Sequence, residues 1–122
     1  MADHTDRNRK NVLDLIEGIT TGNLMAKFDE HYCETCVMSE NGADDPARHG
    51  KDKNRQYEQY FVDNSEWHGV KIGKVLADGD TTAYEMWMDL SMGGQRMQRT
   101  QWAVQTWNDA GQITREVFHY AG

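Results

Sequence analysis

Two cysteines and a carboxylate stand close together in YCETCVMSENG (Tyr32–Gly42). Cys33 and Cys36 have the Cys-x-x-Cys spacing of a redox pair or of half a metal site, and His31 brings the soft donors to three within six residues. A redox thiol gains its reactivity at the start of a helix, where the dipole favours the thiolate. These cysteines fall where a helix closes and a strand begins, the wrong end for activation. A tetrahedral zinc site needs a fourth ligand, for which His49 or His68 would have to be recruited. The two thiols are therefore expected to fill the core, and neither a metal nor a cofactor is expected. Glu40, four residues on, is either a solvated strand end or a pocket carboxylate.

Other groups could do chemistry. Trp67 could line a pocket and His68 could carry protons, though a lone histidine is more often structural or solvated. Glu85, Trp87 and Asp89 alternate with Tyr84, Met86 and Met88, so one strand face is apolar and the other mixed. The residues alone leave open which face looks inward. RHGKDKNR (Arg48–Arg55) offers a basic rim for an anion, or ordinary charge at a helix start.

The elements that must hold these groups are readable from periodicity. Val12, Leu13, Leu15, Ile16 and Ile19 recur at helical spacing, which predicts a helix over 6–20. Gly22 is placed to stop it and Asn23 to cap the next helix, over 24–33. A short strand over 35–40 precedes a loop, SENGADDPARHG (Ser39–Gly50). A third helix over 51–63 shows Tyr57, Tyr60 and Phe61 at i, i+3, i+4. The period then changes to two. Strands are expected from Val70 to Leu76 with an irregularity at Gly73, from Tyr84 to Met92, over 96–107 and over 112–120, joined by turns at ADGD, GG and NDAG. The order α-α-β-α-β-β-β-β is α+β: three helices on one face of a curved, mostly antiparallel sheet, a cone enclosing a pocket.

The 122 residues fit one domain. Net charge is −7 with no basic stripe, which argues against nucleic acid as a partner. There is no apolar run long enough for a membrane span and no apolar signal core in MADHTDRNRK, so the expected compartment is cytoplasmic.

Four stretches carry a family likeness: GNLMAKFDEHYCETCVMSENG, HGKDKNRQYEQYF, WHGVKIGKVLADGD and WAVQTWNDAGQITREVFHY. Together they resemble the SnoaL-like domains of the cystatin-like, nuclear-transport-factor-two-like superfamily, and among these the members without an assigned substrate. The resemblance implies the cone fold and a small hydrophobic ligand. The superfamily includes polyketide cyclases and ketosteroid isomerase. Laid on the isomerase pattern, the catalytic base falls on Glu40. Its two oxyanion donors fall on Leu15 and Ala103, neither of which can donate. The same register turns Gln101, Ala103, Gln105 and Trp107 inward, with Glu116, Phe118 and Tyr120, and turns His119 outward. Asn54 and Arg55, early in the third helix, would face the cavity opening.

The resulting expectation is a protein that binds a small hydrophobic molecule, with cyclase- or isomerase-like acid–base chemistry on a carbonyl compound. Glu40 is the base, and Trp67, Gln101, Glu116, Asn54, Arg55 and Tyr120 contact the ligand. A homodimer through the open sheet face is expected from its aromatic surface. The alternative is a non-catalytic dimeric ligand-binding or interaction module. A closed cavity with Glu40 exposed inside would favour the enzyme or ligand sensor; a filled interior with Glu40 tied to backbone amides would favour the module.

Overall fold

The structure is a computed structural model that describes residues 3–42 and 47–121. Its elements are α1 (Thr5–Thr21), α2 (Leu24–His31), β1 (Tyr32–Glu40), β2 (Arg48–His49), α3 (Lys51–Asn64), β3 (Ser65–Asp78), β4 (Thr81–Met92), β5 (Gln95–Trp107) and β6 (Ile113–His119). Six strands form one curved open sheet in the order β2-β1-β6-β5-β4-β3, with three helices packed on it. Only β1 and β6 run parallel; every other pair is antiparallel. The architecture is the α+β cone that the order of periodicities predicts.

Three details differ from the sequence reading. Arg48 and His49 form a strand inside the stretch read as loop, because Met38 and Val37 of β1 pair with them. Strand β1 begins at Tyr32 rather than 35 and is irregular: Tyr32 pairs with Ile113 and Val37 with Arg115, so the segment holding both cysteines bulges out of register. Asn23 precedes α2 but its side chain makes no capping bond. Other local expectations hold. Gly22 closes α1 in the left-handed conformation, φ 78°. The Gly93–Gly94 turn has φ of 60° and 80°, as a tight two-residue hairpin between twisted strands requires. The register of β3 shifts between Ile72 and Val75, around Gly73.

The core lies between α1, α2 and the inner sheet face. Val12, Leu15 and Ile16 of α1 and Phe28 of α2 are buried against Tyr84, Met86, Met88 and Leu90 of β4. Full burial of each such side chain contributes roughly 1.5–3 kcal/mol. The methionine face of β4 therefore faces the helices, and Glu85 and Trp87 stand on the outer face. Asp89 is also outward, and is buried there because the Arg96 guanidinium forks onto both of its oxygens at 2.9 and 2.8 Å.

Candidate functional site

Every element except β2 sends a side chain into a cavity of about 110 Å³ between the helices and the inner sheet face. Its wall is mostly apolar, from Leu15 and Phe28 on the helix side to Met86 and Phe118 on the sheet. Into it project three carboxyl groups, Glu40, Glu58 and Glu116. An adjoining cleft of about 300 Å³ shares Ile19, Leu24 and Trp67 and, among the described residues, is lined by no titratable side chain.

Glu116 is the most enclosed, at 1% exposure. Its surroundings fix it as an acceptor. The Trp107 indole, which can only donate, bonds to Thr82 Oγ1 at 2.8 Å. The Thr82 hydroxyl then donates to Gln105 Oε1 at 2.8 Å. That leaves the Gln105 amide nitrogen to donate to Glu116 Oε2 at 2.6 Å. The Tyr32 hydroxyl donates to the other carboxyl oxygen. Burial pushes the Glu116 carboxyl up to about 7, and the Tyr32 and Gln105 hydrogen bonds restrain the rise. The group is therefore poised near neutrality.

Glu58 lies on the inner stripe of α3 with Asn54, Tyr57 and Phe61, spaced i, i+3, i+4, i+7. Among the described residues its carboxyl has no hydrogen bond and no ion pair. It is half-buried, and part of that accessible surface is cavity wall. Burial, then the nearby Glu116 charge, push it up to about 8, so near pH 7 it is mostly a neutral acid. Tyr84, 2% exposed, also lines the cavity, and its hydroxyl has no partner among the described residues. Burial holds that phenol well above its ordinary value, so it remains a donor.

Glu40 sits at the rim. One oxygen accepts from Arg48 Nη2 at 3.3 Å. Arg48 is buried, stacks at 3.9 Å over the Tyr57 ring, and donates Nε to Asn54 Oδ1 at 3.3 Å. Asn54 is wholly buried; its amide nitrogen lies 3.3, 3.1 and 2.9 Å from the carbonyls of Cys36, Arg48 and Gly50. It brackets β1, β2 and the start of α3.

The structure thus gathers Glu40, Trp67, Gln101 and Glu116 around one cavity. It places the other three named residues off the lining. Asn54 is the bracket just described. Arg55 points away to an exposed ion pair with Asp29 at 2.8 Å, because it falls on the outer side of α3. Tyr120 follows β6 and offers its ring to Arg99, whose guanidinium carbon lies 3.8 Å from the ring centre. Tyr60, read with Tyr57 and Phe61 as one stripe, is 65% exposed. Sequence reasoning placed Arg48 only within the basic stretch Arg48–Arg55 and Tyr84 only on an apolar strand face, and it missed Glu58 and Arg99. A charged residue in register with the apolar stripe of α3 was the available signal for Glu58.

Both cysteines are free and buried, and burial pushes the Cys36 thiol up to about 11, where it is neither a ready nucleophile nor a ready ligand. Among the described residues the group with metal-ligand spacing is Asp14, Glu30 and His31, with donor atoms within 4.8 Å of one another. The Lys27 ammonium stands 2.9 Å from Asp14 and 3.7 Å from Glu30, so a cation is already present there.

No protein-family model matches the chain, and no curated protein matches it. Solved structures do. A protein titled a SnoaL-like polyketide cyclase from Mesorhizobium loti superposes with TM-score 0.80 at 24% identity, over 91% of this chain and 97% of that one. An LEH-like epoxide hydrolase from M. tuberculosis gives 0.78 at 19%, over 97% and 85%. A protein titled a ketosteroid isomerase from Kribbella flavida gives 0.75 at 16%, over 98% and 82%. The chain has the SnoaL-like, nuclear-transport-factor-two-like fold. At these identities the likeness is one of fold, and the SnoaL-like cone hosts unrelated chemistries, so function must be argued from the cavity. Among the described residues no helix is long and apolar enough to cross a membrane.

Proposed function

We propose that this SnoaL-like protein binds a small, largely apolar carbonyl compound and moves a proton at the carbon next to the carbonyl. The observation that supports it best is the enclosed Glu116 carboxyl, poised at about 7 in a mostly apolar cavity beside a second acid poised at about 8. A general base works best when its pKa lies near the operating pH. Glu116 takes the proton. Neutral Glu58 and the free Tyr84 hydroxyl donate hydrogen bonds to the enolate oxygen that develops. Tyr84 stands directly across from Ala103 in the β4–β5 ladder, so the donor absent at Ala103 has a substitute on the next strand. Glu40, one oxygen committed to Arg48, closes the rim. The interior is open and Glu40 is held by a side chain rather than by backbone amides, which favours a ligand site over a filled interaction module.

Cavity size bounds the substrate. A cavity of about 150 Å³ holds benzene. The 110 Å³ here admits a ring or chain of five or six heavy atoms and leaves anything larger protruding at the mouth. The test is hydrogen–deuterium exchange at the α-carbon of cyclopentanone, cyclohexanone and butanone, followed by proton NMR. The protein is expected to accelerate exchange of at least one. Absence of acceleration for all three, or full activity in Glu116→Gln, rejects the reading. We further propose that two copies pair through the outer sheet face, where Trp87 and Trp102 are only half-buried; a monomer mass by sedimentation at micromolar concentration rejects that.

A further inference from the structure

Two more inward polar side chains have no role in the proton transfer. Gln101 and Arg99 are successive inner-face residues of β5, so their Cα atoms stand ~7 Å apart along the strand. Gln101 is 7% exposed, lines the cavity, and its amide has no partner among the described residues. Its amide atoms reach accessible surface at the cavity, so they are open to a ligand there. Among the described residues Arg99 is the one cation in the cavity wall. Its guanidinium forms no ion pair and no hydrogen bond among the described residues. Stacking on Tyr120 at 3.8 Å holds its plane in place while leaving its N–H edge free.

We propose that Arg99 and Gln101 form the recognition site for a carboxylate carried by the ligand. The proposal rests on the cavity being the ligand site and names the class of its substrate: a small oxo acid.

Charge and geometry agree with this. Glu40 is balanced by Arg48. Glu58 is mostly neutral near pH 7 and Glu116 about half so. The Arg99 charge is therefore the unmatched one, despite three glutamates in the wall. A guanidinium fork and an amide N–H together complement the two oxygens of a carboxylate. Glu116 pairs with Gln105, four residues beyond Gln101, which places it ~13 Å along the strands from the carboxylate site, before side chains reach inward from both ends. An anion seated at Gln101 and Arg99 thus presents the far end of a five- or six-atom body to Glu116 and Glu58.

Three matched probes test it: cyclopentanecarboxylate, cyclopentanecarboxamide and cyclopentylmethylamine, titrated at pH 7 by NMR or calorimetry. The carboxylate is expected to bind about tenfold tighter than the carboxamide, as charge-assisted hydrogen bonds allow. Arg99→Gln is expected to erase that preference, with an unchanged urea midpoint showing that the variant is folded. Arg99→Lys is expected to keep part of it, and Gln101→Leu to reduce it. Equal affinity for carboxylate and carboxamide, tightest binding of the amine, binding of none of the three, or a preference that survives Arg99→Gln overturns the proposal. The outcome is separable from the acid–base reading. Carboxylate preference without ketone exchange sinks only the latter; exchange without carboxylate preference sinks only the former.

Discussion

The molecule holds two clusters of acids that differ in how they are matched. Between α1 and α2, Asp14 meets the Lys27 ammonium at 2.9 Å and His31 Nε2 at 2.8 Å. Gly18 lets that happen: a Cβ there would stand 2.3 Å from Lys27 Cγ. The His31 and Lys27 hydrogen bonds hold the Asp14 carboxyl below its usual range, and Lys27 is raised in turn. In the cavity the direction reverses. Burial lifts Glu116 by more than its Tyr32 and Gln105 hydrogen bonds restrain it, and lifts Glu58 against only the Arg48 charge. An acid held charged by cations stabilises a structure. An acid held near neutrality, with free donors beside it, is arranged to exchange a proton.

The largest expected effect tests that division directly. Glu116→Gln keeps the shape and one acceptor for Tyr32 but sets its amide N–H against that of Gln105, at a cost of about 1–3 kcal/mol that leaves the fold formed. Exchange is expected to fall about 10²–10⁴-fold, the usual range for loss of a general base. Asp14→Asn is expected to leave exchange unchanged. If both variants slow it alike, the cavity acids are no different from the surface ones. Asn54→Ala should act on stability instead. It removes the bracket of β1, β2 and α3 and leaves buried carbonyls short of a donor, at a cost of about 2–4 kcal/mol. Urea unfolding measures it; a loss of ligand affinity at unchanged stability would return Asn54 to the site.

Glu58 gives a smaller effect with a distinctive pH signature. Its folded value lies at about 8, against 4.5 for the free side chain. The folded state therefore binds a proton that the unfolded chain gives up, and stability falls as pH rises from 4.5 through 8. Glu58→Gln removes this liability. Allowing for solvent that reaches the half-buried side chain, the variant should be more stable than wild type by on the order of 2 kcal/mol at pH 8.5. The two should converge near pH 4. A constant gap across that range would mean that Glu58 acts through packing rather than charge.

Much of the fold was legible and less of the site, for reasons that particular residues show. Strict alternation over Tyr84–Met92 announced β4, because one buried face imposes a period of two. Strand β2 could not be read, since two residues carry no period and pair only because β1 lies beside them. The inner stripe of α3 was misread because Glu58 looks like any solvated charge, and Tyr60 completed an equally good apolar spacing. Arg99 was hidden the same way: in QRMQRTQ (Gln95–Gln101) polar residues occupy both faces, so the inward ones do not stand out. Functional groups break the hydrophobic pattern that makes elements readable. The family resemblance supplied the register, lacking in the pattern, that names Glu40, Gln101 and Glu116, and Trp67 was named from its own ring alone; all four line the cavity.

Asp14 supplies the smallest expected effect and the sharpest contrast with Glu58. Its folded value is depressed, so its contribution is present above the unfolded 3.8 and is lost as pH falls through the folded value. The groups facing it are Lys27 and His31, with Glu30 beside both. Asp14→Asn should therefore lower the urea midpoint modestly at pH 7 and converge with wild type only in strong acid. Glu58→Gln raises the midpoint, and does so only above pH 4.5. The double variant is informative because the two sites titrate in separate windows and share no partner, so their effects should add. Glu116, raised to about 7, contributes its own fall between pH 4.5 and 7, so the double variant should keep a smaller fall that ends near pH 7. A curve that still falls as steeply as wild type up to pH 8 would place the second proton elsewhere than Glu58.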